Sequence, residues 1–521
     1  MQLVTLKSTS SLPLTKQWNR KQRSSKQWLP NQGQIAKVNC HANTLSGTAL
    51  TETPAITEVD RLLTELEKNL DHARLSLKEQ QALLGRLKVY GRDTKTAAPI
   101  FTRKVRNRSI VQPCMTHTTL QGIHMLSQYG LDHPSSDTSH EALRCLANAL
   151  LLNEPSRQTF VDLGYAPKAA ARLKVDNRDD EFLNSRILFL LTYKTDIDIK
   201  ELVEQHELAA TINKRVERHA SIIGTGAQTP TGFAAMVETF KLLFNVTHFR
   251  SDLVPMFTPS IDPLIRLLLH LELPNPPLQP PITVTLNALL NLDFENTQNQ
   301  PDSTANPLFP SDRPEEVIER LIFILDRALK NHPEKDLDDA AAPLCTFIRR
   351  VHEIAPPAVR SWMREALLPQ EKDRDQPLGK GDSLPSRLLR ASCSPRLPTL
   401  GDNISCLLFE LSDEDANKLV SNIGYGFASG FLNNHNIKIP ARVDDEQRAE
   451  TAMDINPVTG QRLSAEDHGS SAGPEMTDAE KEREAERLFV LFERLRATGV
   501  VDVKNPVQQA VDEGRFEELS D

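Results

Sequence analysis

The sequence predicts an all-α protein built from stacked helical repeats, followed by a flexible acidic linker and one further amphipathic helix. Three observations support this fold class. Apolar residues recur at helical spacing through most of the 521 residues, several of these segments are apolar on more than one side, and strand-like alternation is missing. Helices that are apolar on several sides need neighbours on several sides, as the inner helices of a repeat stack have.

The first ordered element is predicted to begin near Ile56, after a disordered basic extension over residues 1–55. Glu58–Leu70 places its apolar side chains on one helical face. A second helix follows, because Ser76 and Glu79 have the spacing of a capping box. Gly91 is expected to end that helix.

The same unit then recurs: an apolar helix with an asparagine near its end and a polar break after it. The copies are spaced irregularly, about 40 to 55 residues apart, which favours armadillo- or HEAT-type units with insertions. We therefore predict an armadillo/HEAT-type superhelix over residues 56–435. The clearest copies are Glu141–Asn153, Val237–Phe249 and Thr283–Phe294, and a related helix at Phe182–Tyr193 is apolar nearly all round.

Proline-rich and charged breaks divide the second half of the chain. Residues 436–475 have no core-forming pattern and are predicted to be a flexible acidic linker. A helix over residues 476–498 and an acidic tail over residues 499–521 complete the chain. The remaining helices of the stack are predicted at Pro314–Lys330, Ala340–Ile354, Pro357–Leu368 and Asp413–Asn422.

The charge distribution indicates protein partners. The net charge of −9 divides into +7 over residues 1–51, −6 over residues 52–440 and −10 over residues 441–521. A near-neutral body with an acidic tail argues against a general nucleic-acid binder, which normally carries a basic face. The six cysteines include no C-x-x-C pair, so we expect reduced thiols and a cytoplasmic location. No apolar run is long enough to predict a transmembrane segment.

The search for chemical motifs is negative. His206-Glu207 lacks the second histidine of H-E-x-x-H, and Gly224-x-Gly226 lacks the third glycine of a dinucleotide loop. The G-x-S-x-G match at Gly469–Gly473 lies in the polar linker, without a strand-turn-helix setting. We therefore predict no covalent catalysis, no metal site and no cofactor.

A binding surface is the remaining prediction. Asn148, Asn245 and Asn291 occupy matching places in the three clearest repeats, where an amide can bind the main chain of a ligand. The alternative is that each asparagine braces its own repeat. Lys88 and Arg92 lie near the end of an early helix. If they line the concave groove of the superhelix, they would attract a carboxylate. Otherwise they form a solvated face.

The C-terminal helix carries an apolar stripe that needs a partner surface. Either the helix folds back on the stack or it grips another protein. The stripe comprises Leu488, Phe489, Leu491, Phe492 and Leu495.

Three C-terminal segments in order resemble the synembryn family. They are NIGYGFASG at 422–430, INPVTG at 455–460 and the helix that begins at 476. The upstream segments LRCLANALL, SRILFLLTYKTD and ETFKLLFNVTHF resemble repeats of the same family. The general character of the sequence resembles that of a fungal-type member.

This resemblance implies a cytosolic guanine-nucleotide exchange factor and folding chaperone for heterotrimeric G-protein α subunits. The groove would hold the C-terminal helix of Gα, and the segment after the superhelix would embrace its nucleotide domain. Lys88, Arg92 and Asn148 match groove residues of the family by position, and Asn245 and Asn291 extend that pattern. Leu488, Phe489 and Phe492 would grip the partner.

The resemblance further implies a monomer that is recruited to the cell cortex or plasma membrane through Gα, with no residue in acid–base catalysis. A helical-repeat adaptor without exchange activity is the alternative function. Thr451 and Ser464 precede acidic residues and are candidate phosphorylation sites. Arg103–Thr118 and Ala391–Leu400 are predicted to be loops where the family continues in helix.

Overall fold

The computed structural model describes residues 52–102, 121–225, 228–294, 306–438, 455–456, 458–465 and 478–497. The chain divides into a unit of Met1–Ala55 and a unit of Ile56–Asp521. Every regular element within these ranges is helical, apart from one isolated antiparallel bridge between Ile455 and Arg462. None of the described helices is both long and apolar enough to cross a membrane. The predicted all-α, helical-repeat fold class is confirmed.

The first helices follow their sequence signals. The Ser76 hydroxyl accepts a hydrogen bond from the Glu79 N–H at 3.4 Å, and the Glu79 carboxylate accepts one from the Ser76 N–H at 2.8 Å, so the capping box is present. Gly91 caps the other end of this helix. The elements are α1 (Glu52–His72), α2 (Leu77–Tyr90), α3 (Ala98–Thr102) and α4 (Gln121–Ser127), and α4 continues into a π-helical turn over Gln128–Asp132.

The middle of the chain contains the predicted repeats. The helix predicted at Phe182–Tyr193 begins earlier, because the Asn177 side chain accepts hydrogen bonds from the N–H groups of Asp179 and Asp180 at 2.8 and 3.1 Å. The elements are α5 (Ser136–Leu152), α6 (Glu154–Asp162), α7 (Ala166–Leu173), α8 (Arg178–Leu191), α9 (Ile199–Glu204), α10 (Leu208–Ile222), α11 (Pro230–Phe249), a 3₁₀ segment over Ser251–Ser260, α12 (Ile261–His270) and α13 (Ile282–Leu290).

The second half of the stack contains the helices expected there, with small changes at their ends. Ala391–Leu400 is predicted to be a loop, but only its central residues form a loop. Pro398 starts a helix, because proline is compatible with the first turn of a helix. Arg103–Thr118 lies outside the described residues. The elements are α14 (Glu316–Asn331), α15 (Glu334–Ile354), α16 (Pro357–Leu367), a 3₁₀ turn over Glu371–Asp375, α17 (Leu384–Ser392), α18 (Pro398–Leu411), α19 (Ala416–Ile423), α20 (Tyr425–Asn434) and α21 (Asp478–Ala497).

One series of helices runs through the stack. α2 packs on α5, α5 on α8, α8 on α11, α11 on α13, α13 on α15, α15 on α18 and α18 on α20. A second series covers one side of the first and includes α10, α12 and α14. Helices of the first series touch neighbours on more than one side, which explains why α8 is apolar nearly all round.

A buried polar network joins α8, α10 and α11. The Glu181 carboxylate is fully buried and lies 2.7 Å from His219 Nε2, while the Thr239 hydroxyl donates to it at 3.0 Å. Arg218 pairs with the same carboxylate. Because a buried charge needs such partners, this network fixes how the three helices pack.

Residues 455–465, of which all but 457 are described, dock against the end of the stack; we call them the docked loop. The N–H of Gly426 at the start of α20 donates to the Val458 carbonyl at 3.1 Å. Gly424 has a φ of +77°, and a Cβ there would lie 2.9 Å from that same carbonyl oxygen. The two glycines of the NIGYGFASG segment therefore admit the docked loop.

Arg374 holds the docked loop from the other side. Its guanidinium donates to the Gly460 carbonyl at 3.0 Å and to the Asn422 carbonyl at 2.9 Å. The prediction of a flexible linker over residues 436–475 is therefore wrong for the docked loop, because hydrogen bonds hold that loop in place. Most of the remaining linker lies outside the described residues.

Candidate functional site

A cleft of about 650 Å³ opens between the first helices of the stack. α2 and α5 form its walls, and the first turn of α8 closes one end. Its lining is mostly charged, and cations and carboxylates alternate along it; we call it the charged cleft. It is lined by Lys78, Gln81, Ala82, Gly85, Lys88, Asp137, His140, Glu141, Arg144 and Asp179.

Ion pairs connect the helices across the charged cleft. Lys88 Nζ lies 2.7 Å from Glu141 Oε2, and Arg144 pairs with Glu141 at 2.9 Å and with Asp179 at 2.6 Å. These side chains are about one-fifth to two-fifths exposed, so solvent screens the pairs and their contribution to stability is small. A carboxylate that enters the cleft can replace Glu141 or Asp179 as the partner of these cations.

Two of the predicted groove residues have polar groups that no other described residue engages. Asn148 lies on α5 one turn after Arg144, on the same face, and is half-buried. Arg92 is exposed just beyond the end of α2. Within the described ranges, neither side chain has a hydrogen bond or an ion pair, so both groups are available to a ligand. Lys88 differs from them because it is already paired with Glu141.

Asn245 and Asn291 hold their own repeats together. The amide of Asn245 is buried and donates to Thr192 Oγ1 at 2.7 Å, while its oxygen accepts from the Tyr193 hydroxyl at 3.4 Å. Asn291 caps α13, and its amide donates to the Phe244 carbonyl at 3.2 Å. The bracing alternative therefore fits both residues, because neighbouring helices already use their polar groups.

An aromatic cluster that was not predicted from the sequence lies at the ends of α8 and α11. Tyr193 packs edge-on against Phe249 at 6.0 Å between ring centroids, and Phe244 stacks on His248 at 5.5 Å. Phe249 is exposed, and burial lowers the pKa of His248, so that ring is neutral at physiological pH. The four-residue spacing of Phe244 and His248, which places both rings on one helical face, is the sequence feature that could have indicated this cluster.

The charged lining of the cleft continues along α8 towards the aromatic cluster, since Asp179 and Arg186 are seven residues apart and share one face of that helix. The Lys241 ammonium lies 5.9 Å from the centre of the Phe189 ring, and it pairs with Glu238 at 3.0 Å. Glu238 also pairs with Arg186 at 3.4 Å. A helix lying across α5, α8 and α11 would meet charged groups at one end and aromatic rings at the other.

The C-terminal helix α21 is present over Asp478–Ala497. Leu488, Phe489 and Leu491 are exposed, and Phe492 is half-buried. Of the candidate phosphorylation sites, Ser464 is exposed in the docked loop, and Thr451 lies outside the described residues.

One protein family matches most of the chain. The family described as guanine nucleotide exchange factor synembryn matches residues 83–515, a range that includes most of the charged cleft, the docked loop and α21. Several relatives of this chain are named chaperones. The chaperone Ric-8A of Xenopus tropicalis is 24% identical over 483 residues, which cover 85% of this chain and 85% of that protein.

Two shorter matches have higher identity. A synembryn-like chaperone of Schizosaccharomyces pombe is 34% identical over 162 residues, which cover 28% of this chain and 30% of that protein. The chaperone Ric-8 of Drosophila melanogaster is 30% identical over 155 residues, covering 27% of this chain and 26% of that protein.

Proposed function

Since the chain belongs to the synembryn family of guanine nucleotide exchange factors, we propose that it binds heterotrimeric G-protein α subunits in the cytoplasm. In this proposal it promotes GDP release and GTP loading through a nucleotide-free intermediate, and it assists the folding of Gα. The observation that carries the proposal is the family match over residues 83–515. The names of the chaperone relatives support the folding role.

The proposed mechanism is a shift of population and involves no covalent step. A protein that binds the open, nucleotide-free state of Gα more tightly than the closed state increases the fraction of the open state. GTP binding restores the closed state, and the factor dissociates. No residue of this chain needs to transfer a proton.

The face described above suits the C-terminal helix of Gα. Its terminal carboxylate would replace Glu141 as the partner of Lys88 and also meet Arg92, while the Asn148 amide binds main-chain groups. Apolar side chains of the same helix would pack near Phe244 and Phe249. In α21, Leu488, Phe489 and Phe492 would contact the nucleotide domain of Gα.

Nucleotide exchange on a purified Gα subunit is the deciding experiment. Gα·GDP should take up a fluorescent GTP analogue faster in the presence of this protein, and newly synthesised Gα should reach its folded state in higher yield. Unchanged exchange together with unchanged folding yield would favour the adaptor alternative.

Binding of a Gα C-terminal peptide tests the charged cleft. Asn148→Ala should weaken binding about fivefold, since one hydrogen bond contributes about 1 kcal/mol. Lys88→Glu should weaken binding about tenfold or more, because it places two carboxylates opposite the peptide carboxylate. Lys174→Glu is the matched control, since it breaks the exposed Lys174–Glu207 pair outside the cleft. Equal affinity in all three variants would place the peptide elsewhere.

We also propose that phosphorylation acts through the docked loop. Thr451 lies four residues before Ile455, and Ser464 is exposed within the loop. Added phosphate would strengthen contacts with nearby cations such as Arg462. The phosphomimetic Thr451→Glu should slow proteolysis between residues 439 and 475, and an unchanged cleavage rate would exclude this role.

A further inference from the structure

Three side chains of metal-binding type meet at the C-terminal end of the stack, far along the chain from the charged cleft. Asp402 and Cys406 lie four residues apart and share one face of α18, and His435 caps the end of α20. Their ligand atoms all lie within 4.8 Å of one another. Two helices thus contribute a carboxylate, a thiol and an imidazole to one point.

The distance between two of these groups is compatible with a shared ion. His435 Nε2 and Asp402 Oδ1 are 3.4 Å apart, which in the absence of an ion is a long hydrogen bond. Two ligand atoms that each lie about 2.1 Å from a tetrahedral Zn²⁺ are about 3.4 Å apart. The pair therefore already has the separation of two zinc ligands.

The environment of the cluster also suits a metal ion. The Cys406 side chain is buried, while the side chains of Asp402 and His435 are 42% and 24% exposed, so an ion can reach the cluster from solvent. Phe431 lies 4.4 Å from the His435 ring, and Phe409 packs against Phe431 at 5.3 Å. These rings form an apolar wall that fixes the imidazole.

The ordinary alternative is a surface Asp–His pair beside a buried cysteine that acts as a small apolar residue. Cys145 is a cysteine of that ordinary kind: it is buried, and its thiol donates to the Leu84 carbonyl at 3.3 Å. The Cys406 thiol has no hydrogen bond to any other described residue, and it faces the Asp402–His435 pair. Its sulfur is available as a ligand.

We propose that Asp402, Cys406 and His435 bind one Zn²⁺ ion, with the fourth position open to water. Thiolate, imidazole and carboxylate are the ligands that zinc prefers, and three protein ligands leave a tetrahedral site with one exchangeable position. Because zinc binds the thiolate, the Cys406 thiol releases its proton to solvent as the ion binds.

The ion would cross-link α20 to α18. Gly424 caps the start of α20 and Gly426 lies in its first turn. Both glycines receive the docked loop, so the zinc site would stabilise the end of the stack on which that loop rests. The sequence predicted no metal site, because His435 is distant from Asp402 and Cys406 along the chain and the set matches no closely spaced motif.

Titration of the full-length, chelator-treated protein with Co²⁺ and then Zn²⁺ tests the site. Co²⁺ should produce visible d–d bands and a near-ultraviolet thiolate-to-cobalt charge-transfer band, which reach a plateau at one equivalent. Zn²⁺ should abolish both. Cys406→Ser should remove the charge-transfer band, and the control Cys393→Ser, which changes an exposed thiol, should retain it.

Asp402→Asn is the second variant, since it changes an exposed side chain and leaves the core intact. It should lower Zn²⁺ affinity by at least the roughly 10- to 100-fold that is lost when a side chain that hydrogen-bonds to a metal ligand is removed. Zn²⁺ should raise the Tm of the wild-type protein and of Cys393→Ser, but not of Cys406→Ser. A charge-transfer band that survives in Cys406→Ser, no band at all, or unchanged affinity in Asp402→Asn would each overturn the proposal.

Discussion

At the scale of single residues, three asparagines in matching positions have different roles. The role of each depends on whether neighbouring helices engage its side-chain amide. Asn245 and Asn291 each donate to the preceding repeat, so they stabilise the stack. Asn148 stands in the corresponding place on α5, and no described residue engages its amide. Of the three, only Asn148 has both its amide donors and its side-chain oxygen unused within the described residues.

His352 on α15 makes the stability of the stack depend on pH. Burial first, and then the charges of Arg360 and Arg364, lower the pKa of His352 to about 4 from its usual value of 6.5. Because the unfolded chain binds this proton more readily, the neutral histidine contributes stability above about pH 6.5. That stability is lost as the pH falls towards 4, by about 3 kcal/mol at most.

The variant His352→Leu should therefore lose less stability than the wild type between about pH 7 and about pH 4.5. Thermal unfolding of both proteins at the two pH values measures the difference in Tm. His206→Gln is the matched control, because that side chain is partly exposed on the loop before α10. An equal loss of Tm in His352→Leu and the wild type would mean that other groups cause the acid sensitivity.

Residue roles of this kind were only partly predictable. The sequence placed all three asparagines on matching positions, and the family resemblance added Lys88 and Arg92. Whether an amide is engaged depends on which residues end the neighbouring helix, such as Thr192 and Tyr193 beside Asn245. That information comes from packing between repeats and not from the repeat itself.

At the scale of elements, the docked loop depends on glycines with special backbone geometry. Gly460 has a φ of +68°, and a Cβ there would collide with the Leu378 side chain. Gly460→Ala should therefore release the docked loop, and proteolysis within residues 439–475 should become faster. The combined strain of left-handed backbone and collision is expected to cost about 1–3 kcal/mol.

Gly430→Ala is the matched control for this prediction. Gly430 lies within α20, and a Cβ there would meet nothing within 4 Å, so the change should be neutral or slightly stabilising. If Gly460→Ala is cut no faster than Gly430→Ala, the docked loop is held by other contacts.

Removal of residues 476–521 tests whether α21 supports the stack. We expect the Tm and the helical circular dichroism of the remaining chain to persist, because the stacked helices form their core among themselves. Nucleotide exchange on Gα should fall. Unfolding of the truncated protein would show that α21 is part of the fold.

Many of the elements could be predicted, since apolar periodicity and caps are local signals, but α10, α17 and α18 were not among them. Ser76 with Glu79 and the end at Gly91 are examples. The docked loop was missed because nothing local requires Arg374 to reach the Gly460 carbonyl, 86 residues away. The sequence analysis placed INPVTG within a flexible linker, and nothing in those six residues identifies the surface on which they lie.

At the scale of the whole stack, each helix packs mainly on its neighbours in the series, so stability should be a sum of local terms. A weakened contact between two repeats then opens those repeats and leaves distant ones closed. The charged cleft lies near one end of the series and the proposed zinc site near the other. The two sites should therefore respond to separate changes.

Asn245→Ala measures this independence and decides the role of Asn245 at the same time. The change removes the donor to Thr192 and leaves the buried Tyr193 hydroxyl without its acceptor, at a cost of about 1–3 kcal/mol. Amide hydrogen exchange should become faster in α8, α11 and α13 and stay unchanged in α18 and α20. Asn148→Ala, the matched control, should change exchange nowhere. If Asn245→Ala instead weakens Gα peptide binding and leaves hydrogen exchange unchanged, Asn245 belongs to the groove after all.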